Sequence, residues 1–408
     1  MAAMPETPSR TRKVKFALIL GGLTAFGPLS IDMYLPALPM MSGDLQATQS
    51  EIQLTLTSCV LGIALGQVIA GPLADRLGRR LPLIVGLVVY GIASALCAVV
   101  PSISALIALR LVEGFGAAAG IVIARAIVRD LFSGVAMARF FSNLMLVTGL
   151  APILAPVIGG EVLRLTTWHG VFAVLTAFGV VLLVAVIFTL PETLPVQRRS
   201  DGKIVGLLRT FGRMLSDRLF VGYALIAGVS FAAMFSYISG SSFVLQNYFG
   251  MPPQAYSLVF GANALGLVLV GQLNGFLVGR VELRTLLVGG LGISAVSGLA
   301  LLATAVLDLG LTALLIPLFV LISSIGLVVP NAMALALSGY AHAAGSASAL
   351  LGVLQFGVGG IAAPLVGLSA SPSAVPMTTV MCALVLLAIP LFTVLTRPTP
   401  AARAVSPA

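Results

Sequence analysis

The sequence predicts an all-α membrane protein: twelve transmembrane helices in two pseudo-symmetric six-helix bundles, with N- and C-termini cytoplasmic. Three observations carry this expectation: an extremely apolar composition, twelve hydropathic runs of spanning length, and basic residues confined to alternate loops. Of 408 residues, 59% are hydrophobic and 9% are charged, and mean hydropathy is +1.12. A soluble domain carries about 25% charged residues, so this chain lacks the charge to coat a soluble surface. A formal charge of +9 would suit nucleic acid, yet no basic run is interleaved with exposed aromatics, so none is expected as a partner. Cys59, Cys97 and Cys382 lie inside apolar runs with neither metal nor disulfide spacing, and read as buried spacers.

A bilayer core requires about 20 apolar residues per helix. Such runs fall near 16–38, 51–71, 81–100, 103–124, 139–162 and 169–190, then 219–244, 255–277, 284–306, 312–337, 345–368 and 375–396. The first follows a basic stretch, as a signal peptide would. It is too long for that and has no clear small-x-small cleavage site, so it reads as a permanent helix.

Orientation comes from the basic residues. One face receives Arg10, Arg12, Lys13 and Lys15, then Arg76, Arg79 and Arg80, then Arg125, Arg129 and Arg139. It also receives Arg198, Arg199, Lys203, Arg209, Arg213 and Arg218, then Arg280 and Arg284, then Arg397 and Arg403. That face holds twenty of the 22 basic residues; Arg164 lies opposite and Arg110 within a helix. By the positive-inside rule it is cytoplasmic. The chain then divides into a tail 1–15, a bundle 16–190, a cytoplasmic linker 191–218, a second bundle 219–396 and a tail 397–408. The basic linker is expected to carry an amphipathic helix on anionic headgroups, which makes membrane lipids partners.

An internal repeat fits the division. Gly71-Pro-Leu-Ala-Asp75-Arg76-Leu-Gly78-Arg79-Arg80 follows the second span, and Gly275-Phe-Leu-Val-Gly279-Arg280-Val-Glu282-Leu-Arg284 follows the eighth. The offset of 204 residues is half of the 408. Two related halves with a binding site between them near the midplane are a recurring transporter plan.

The loop Gly71–Arg80 matches the loop 2–3 signature of the major facilitator superfamily at every defining position. Three further segments narrow the likeness: Pro28-Leu-Ser-Ile-Asp32-Met-Tyr34-Leu-Pro36-Ala-Leu-Pro39 in the first span, Arg110-Leu-Val-Glu113-Gly114-Phe-Gly116 in the fourth, and Ala151-Pro152-Ile-Leu-Ala155-Pro156-Val-Ile-Gly159-Gly160 in the fifth. Together with Pro191-Glu192-Thr193 and Ser230–Ser236, they make the chain resemble the Bcr/CflA family of bicyclomycin- and chloramphenicol-type drug exporters. The resemblance implies export of small drug-like molecules by proton-coupled antiport across the bacterial inner membrane, without a cofactor beyond the coupling proton; a monomer is the simplest expectation for the oligomeric state. Glu113 stands where the superfamily motif usually has Gln, and Ala155 where the antiporter motif often has Gly. The alternative is a related exporter of a metabolite such as an amino acid or sugar.

A charge at membrane depth costs about 2.5–3.5 kcal/mol or more unless paired or hydrated. Asp32, Arg110 and Glu113 are the charges predicted well inside spans. Asp32 and Arg110 fall at matching depth, roughly 10 Å from the outer end at 1.5 Å per residue. Glu113 is one turn deeper on the face of Arg110. The expected device is a proton switch in which two carboxylates compete for one guanidinium. Asp32 is the preferred carrier, because the resemblance places the family's functional acid there; a static ion pair joining the two helices is the other possibility.

Gating is expected from two places. In the loop, Asp75 is positioned to meet a helix N-terminus or an arginine such as Arg129, with Arg76 and Arg79 beside it, while Gly71 and Gly78 suit a tight turn. Gly279 replaces the acid in the second copy, so the latch should be lopsided. In the fifth span, Pro152 and Pro156 should bend the helix, and Gly159 and Gly160 should allow close contact. A drug cavity needs apolar walls with a few polar groups; Tyr34, Phe115, Phe231, Phe235, Tyr237, Asn263, Asn331 and Gln355 are the expected substrate-binding residues. Trp168-His169 reads as an interfacial anchor.

Other classes fit poorly. Gly202-Lys203 lacks the rest of a phosphate loop, no nucleophile–base or metal constellation accompanies the two histidines, and no selectivity-filter pattern is present. The chain is not expected to be an enzyme.

Overall fold

The computed structural model describes residues 10–132, 134–199, 204–367 and 373–396. Residues 1–9 and 397–408 of the two tails lie outside the described residues, as does Lys203 of the linker. Twelve helices are long and apolar enough to cross a membrane, in agreement with the hydropathic runs.

The first span is interrupted. Helix α1, Arg10–Asp32, gives way to a 3-10 turn at Leu35–Ala37, and α2, Leu38–Asp44, completes the crossing. Pro36 and Pro39 supply no backbone N–H and restrict the residues before them, so the continuous helix expected over 16–38 breaks after Asp32. Helix α3, Gln49–Leu77, starts on a capping box in which Thr48 and Glu51 satisfy each other's backbone N–H groups. Then come α4, Arg80–Cys97; α5, Ile103–Leu131; α6, Gly134–Leu165; and α7, Trp168–Thr189. Helix α5 overruns the expected 103–124 because nothing in Arg125–Leu131 breaks a helix. Arg125 and Arg129, expected in a loop, are therefore helical.

In the linker, a 3-10 turn at Val196–Arg198 precedes α8, Ile204–Leu215, which inserts Met214 into the core of the second half. Next are α9, Arg218–Ser242, extended by a π turn Phe243–Tyr248; α10, Pro253–Leu277; α11, Leu283–Val306; α12, Leu311–Leu337; α13, Ala344–Gly367; and α14, Val375–Leu395. The spans alternate in direction, so the linker and both ends of the described chain lie on one face, here the terminal face.

The cores show how the halves meet. A cluster at the far face draws on both, joining Met33, Tyr34, Trp168 and Phe172 to Tyr237, Phe243, Tyr256 and Phe260. Toward the terminal face each half keeps its own, around Phe16, Leu20, Leu83 and Ile127 in the first and Phe220, Leu287, Val328 and Leu351 in the second. The halves are thus sealed together at the far face and separate at the other. Trp168 belongs to the seal: it is buried and donates to an Asp44 carboxylate oxygen at 2.9 Å, rather than standing at the interface as expected.

Candidate functional site: a central cavity with one unpaired acid

Between the halves lies a cavity of about 630 Å³. Its walls come from α1, α3, α5 and α6 on one side and α9, α10, α12 and α13 on the other. They are mainly apolar, and Phe231 stacks on Phe235 (ring centroids 6.0 Å apart) and meets the Phe356 edge at 5.3 Å.

Of the expected substrate-binding residues, Phe231, Phe235, Tyr237 and Gln355 line this cavity. Asn263 stands behind the wall and donates to the Tyr237 hydroxyl at 2.9 Å. Three others point elsewhere. Tyr34 is buried against Thr55, 3.0 Å away, and Arg110. Asn331 donates to Asn274 Oδ1 at 2.7 Å across the α10–α12 contact. Phe115 is 40% exposed and outside the cavity lining. Helices apolar all round hide their inward face from a sequence reader, which is why these assignments failed together. Gln67 and Thr148, polar interruptions of apolar spans, also line the cavity, as does Arg125; the first two were visible signals, the third was misplaced with its loop.

The three membrane-depth charges separate into a pair and a single. Arg110 and Glu113 are fully buried and paired, Nη1 to Oε2 at 2.5 Å. Nη2 donates to the Ser30 carbonyl at 2.5 Å, the guanidinium covers Tyr34 at 4.4 Å from its centroid, and Ser94 donates to Glu113 at 3.1 Å. Asp32 takes no part. Residues two apart on a helix do not share a face, so the Ser30 side chain turns to the Tyr90 hydroxyl, 2.9 Å away, while Asp32 turns to the cavity. Asp32 is 5% exposed, and its Oδ1 has no hydrogen-bond partner among the described residues. The expected contest of two carboxylates for one guanidinium is therefore absent from this conformation.

At the terminal face, Asp75 meets Arg79 at 2.5 Å, not Arg129 as expected, and Arg79 reaches on to Asp130 at 2.9 Å. The linker joins this cluster. Thr193 donates to Asp130, and Glu192 accepts the backbone N–H groups of Arg79 and Leu194, each at 2.9 Å, and of Arg80 at 3.2 Å. Burial pushes the Glu192 carboxyl up, but these backbone donors outweigh it and hold it below the usual carboxylate range. Gly78 has φ +96°, and a Cβ there would stand 2.4 Å from Glu192 Oε2, so glycine is required. Gly71 has no such need, its virtual Cβ meeting nothing nearer than 3.8 Å. Arg76 and Arg129 are exposed and outside the cluster. In the second copy Gly279 also has positive φ, +89°, and Arg280 bonds the Phe276 carbonyl, 2.9 Å away, and lies over the Phe276 ring at 3.8 Å, with no carboxylate partner among the described residues.

The far-face seal is made by a glycine contact and by side chains bonded to the opposite backbone. A Cβ on Gly160 would lie 2.7 Å from Ser257 Oγ of the other half, while one on Gly159 would lie 1.8 Å from the Met33 carbonyl oxygen and so fixes α6 against the first span within its own half. Helix α6 runs through both Pro152 and Pro156, and Pro152 lines the cavity. Ser242 donates to the Leu35 carbonyl at 2.6 Å, Thr57 to that of Gly360 at 2.9 Å and Gln53 to that of Ser239 at 3.1 Å.

Two six-helix bundles that share a core at one face and keep separate cores at the other, with a cavity between them, are the plan of a polytopic solute carrier. The Major Facilitator Superfamily model matches residues 20–364, and the chain belongs to that superfamily. It is 40% identical to the uncharacterized MFS-type transporter YdgK of Bacillus subtilis over 93% of this chain and 94% of that one. It is 33% identical to a bicyclomycin resistance protein homolog of Haemophilus influenzae (92% and 94% covered) and 30% identical to the multidrug resistance protein MdtL of Klebsiella pneumoniae (84% and 85%). The fold matches a bacterial homolog of the human lysosomal transporter Spinster, solved inward-facing and unoccupied, with TM-score 0.77, 16% identity and 96% and 100% of the chains covered. It also matches the partially occluded, inward-open xylose transporter XylE of E. coli, with TM-score 0.72, 13% identity and 94% and 98% covered. The chain is a multi-pass bacterial inner-membrane transporter with multidrug-resistance relatives.

Proposed function

We propose that the protein is a proton-coupled antiporter that exports small drug-like molecules, with Asp32 as the proton carrier and the terminal face in the cytoplasm. The observation carrying this reading is the Asp32 carboxylate, buried at the cavity wall with an oxygen that no described residue satisfies. An ionised carboxylate there needs water or a donor from a substrate; a protonated one is neutral and tolerates occlusion. Proton and substrate therefore compete for one place, which is the requirement for antiport. The broken backbone after Asp32 gives the cavity and the far-face seal a shared element, so that the charge state of Asp32 biases whether the seal holds.

Arg110 and Glu113 act differently in this reading. The two are held to each other and to the Ser30 carbonyl, with Arg110 Nε left without a partner among the described residues, so the pair braces α1 against α5 and keeps Asp32 aimed at the cavity. The cytoplasmic placement of the terminal face rests on the bias of basic residues, and the drug-like substrate on the aromatic wall and the resistance-protein relatives.

The test is efflux of a compound panel from proteoliposomes with an imposed pH gradient. Wild type should export against the concentration gradient and stop when an uncoupler is added. Asp32→Asn should insert and fold but lose gradient-driven export. Gradient-driven export by that variant at the wild-type rate contradicts the assignment, and selective export of amino acids or sugars would favour the metabolite alternative.

A further inference from the structure

Two opposite charges line the cavity, and proton coupling uses only Asp32. The other is Arg125. Helices α1 and α5 run antiparallel: Arg110 meets the Ser30 carbonyl, whereas Gly120 lies against Leu23 and Phe26. Arg125 follows Arg110 by fifteen residues, which at 1.5 Å per residue carries it about 22 Å closer to the terminal face. It is exposed there, on the cavity wall toward the open end.

Arg125 differs from the arginines Arg79 and Arg110, which are buried in ion pairs, and from Arg76 and Arg129, which do not line the cavity. Arg79 holds Asp75 and Asp130, and Arg110 holds Glu113, but no carboxylate among the described residues pairs with Arg125. Arg129, one turn further on the same helix and also exposed, adds like charge. A guanidinium has five donors and no acceptor. When a solute displaces water from the cavity, those donors must find acceptors on the solute or remain unsatisfied. A carboxylate, sulfonate or phosphate end satisfies them, and carbonyl or nitro oxygens do so in part. A quaternary ammonium end meets only repulsion. Between Arg125 and Asp32 the wall is Phe231, Phe235 and Phe356, suited to a flat aromatic body.

We propose that Arg125 is the charge-selecting residue of the cavity, which takes aromatic molecules bearing an acidic or strongly accepting end and disfavours permanent cations. The inference rests on the drug-cavity reading above but not on its proton coupling.

Equilibrium binding of a matched fluorescent series tests it: dansylglycine (anionic), dansylamide (neutral) and dansylcholine (cationic), on purified full-length protein at one fixed pH without a gradient. The ratio of dansylglycine to dansylcholine affinity should fall by about tenfold in Arg125→Gln and further in Arg125→Glu, with Arg125→Lys between them and wild type. Dansylamide affinity should change little, which shows that the variants remain folded. A ratio that stays within twofold of wild type in Arg125→Glu overturns the assignment while leaving proton coupling untouched. Failure of all three probes to bind wild type overturns the drug cavity and this inference with it. Absence of gradient-driven export by wild type, with the ratio shift intact, sinks only the coupling mechanism.

Discussion

The first half of the molecule buries ions where the second buries neutral groups. Around α1, α4 and α5 the polar interior includes the ions Arg110 and Glu113 and the lone Asp32, beside the neutral Ser94 and the Ser30–Tyr90 hydroxyl pair. The interior of the second half joins Asn274 to Asn331, Ser294 to Ser324, and Tyr237 to Asn263. The two halves solve the same packing problem with opposite electrostatics. Buried ions are expensive to desolvate and strongly directional, so the first half is suited to hold a fixed brace and a titratable acid. Neutral amides and hydroxyls cost less to bury, so the second half packs its helices on paired side chains without a charge. The terminal-face turns repeat the contrast, with a carboxylate–guanidinium cluster in one and a backbone-bonded arginine in the other.

Substitution of the two interiors should separate them most. Arg110→Met strands Glu113 and should destabilise by about 3–5 kcal/mol, whereas Asn331→Leu, which frees only one Asn274 acceptor, should cost about 1–3 kcal/mol. Thermal unfolding in detergent compares them, and Arg110→Met with Glu113→Leu should recover much of the loss. Equal losses from the two single variants would erase the contrast.

The turns come next. Gly78→Ala and Gly279→Ala both force alanine into positive φ, at about 1–2 kcal/mol each. Only Gly78 adds a clash, since a Cβ on Gly279 has no neighbour within 4 Å. Gly78→Ala should therefore lower the melting temperature more and release the linker, detectable as faster proteolysis near Glu192.

Smallest is a pH effect confined to the first turn. The Glu192 carboxyl is depressed, so its contribution is fully present above the ordinary glutamate value of about 4.3 and disappears as pH falls through the folded value. The group is largely exposed, so the effect should stay under about 1 kcal/mol. Glu192→Gln should remove that acid-limb dependence, and a variant with an unchanged pH profile of unfolding would assign the depression elsewhere.

The fold was largely legible because lipid imposes span length and the charge bias imposes alternation. The break after Asp32 was legible too, in Pro36 and Pro39, although the hydropathic run concealed it. Arg125 and Arg129 were misplaced for a physical reason: arginines at a helix end extend their charge to water from helical backbone. The Arg110–Glu113 pair follows from a spacing of three. The separation of Asp32 from it does not, because it depends on which α1 carbonyl Arg110 selects. Phe115 and Asn331 were misassigned to the cavity because rotation of an all-apolar helix is set by its neighbours, not by its own pattern.

The central claim is that one acid carries the proton while the buried pair only braces it. Proton release on substrate binding, measured in weakly buffered detergent solution, tests that division most directly. Wild type and Glu113→Gln should release protons when an exported substrate is added, and Asp32→Asn should bind it without release. Proton release from Asp32→Asn, or its loss in a folded Glu113→Gln, would contradict the account.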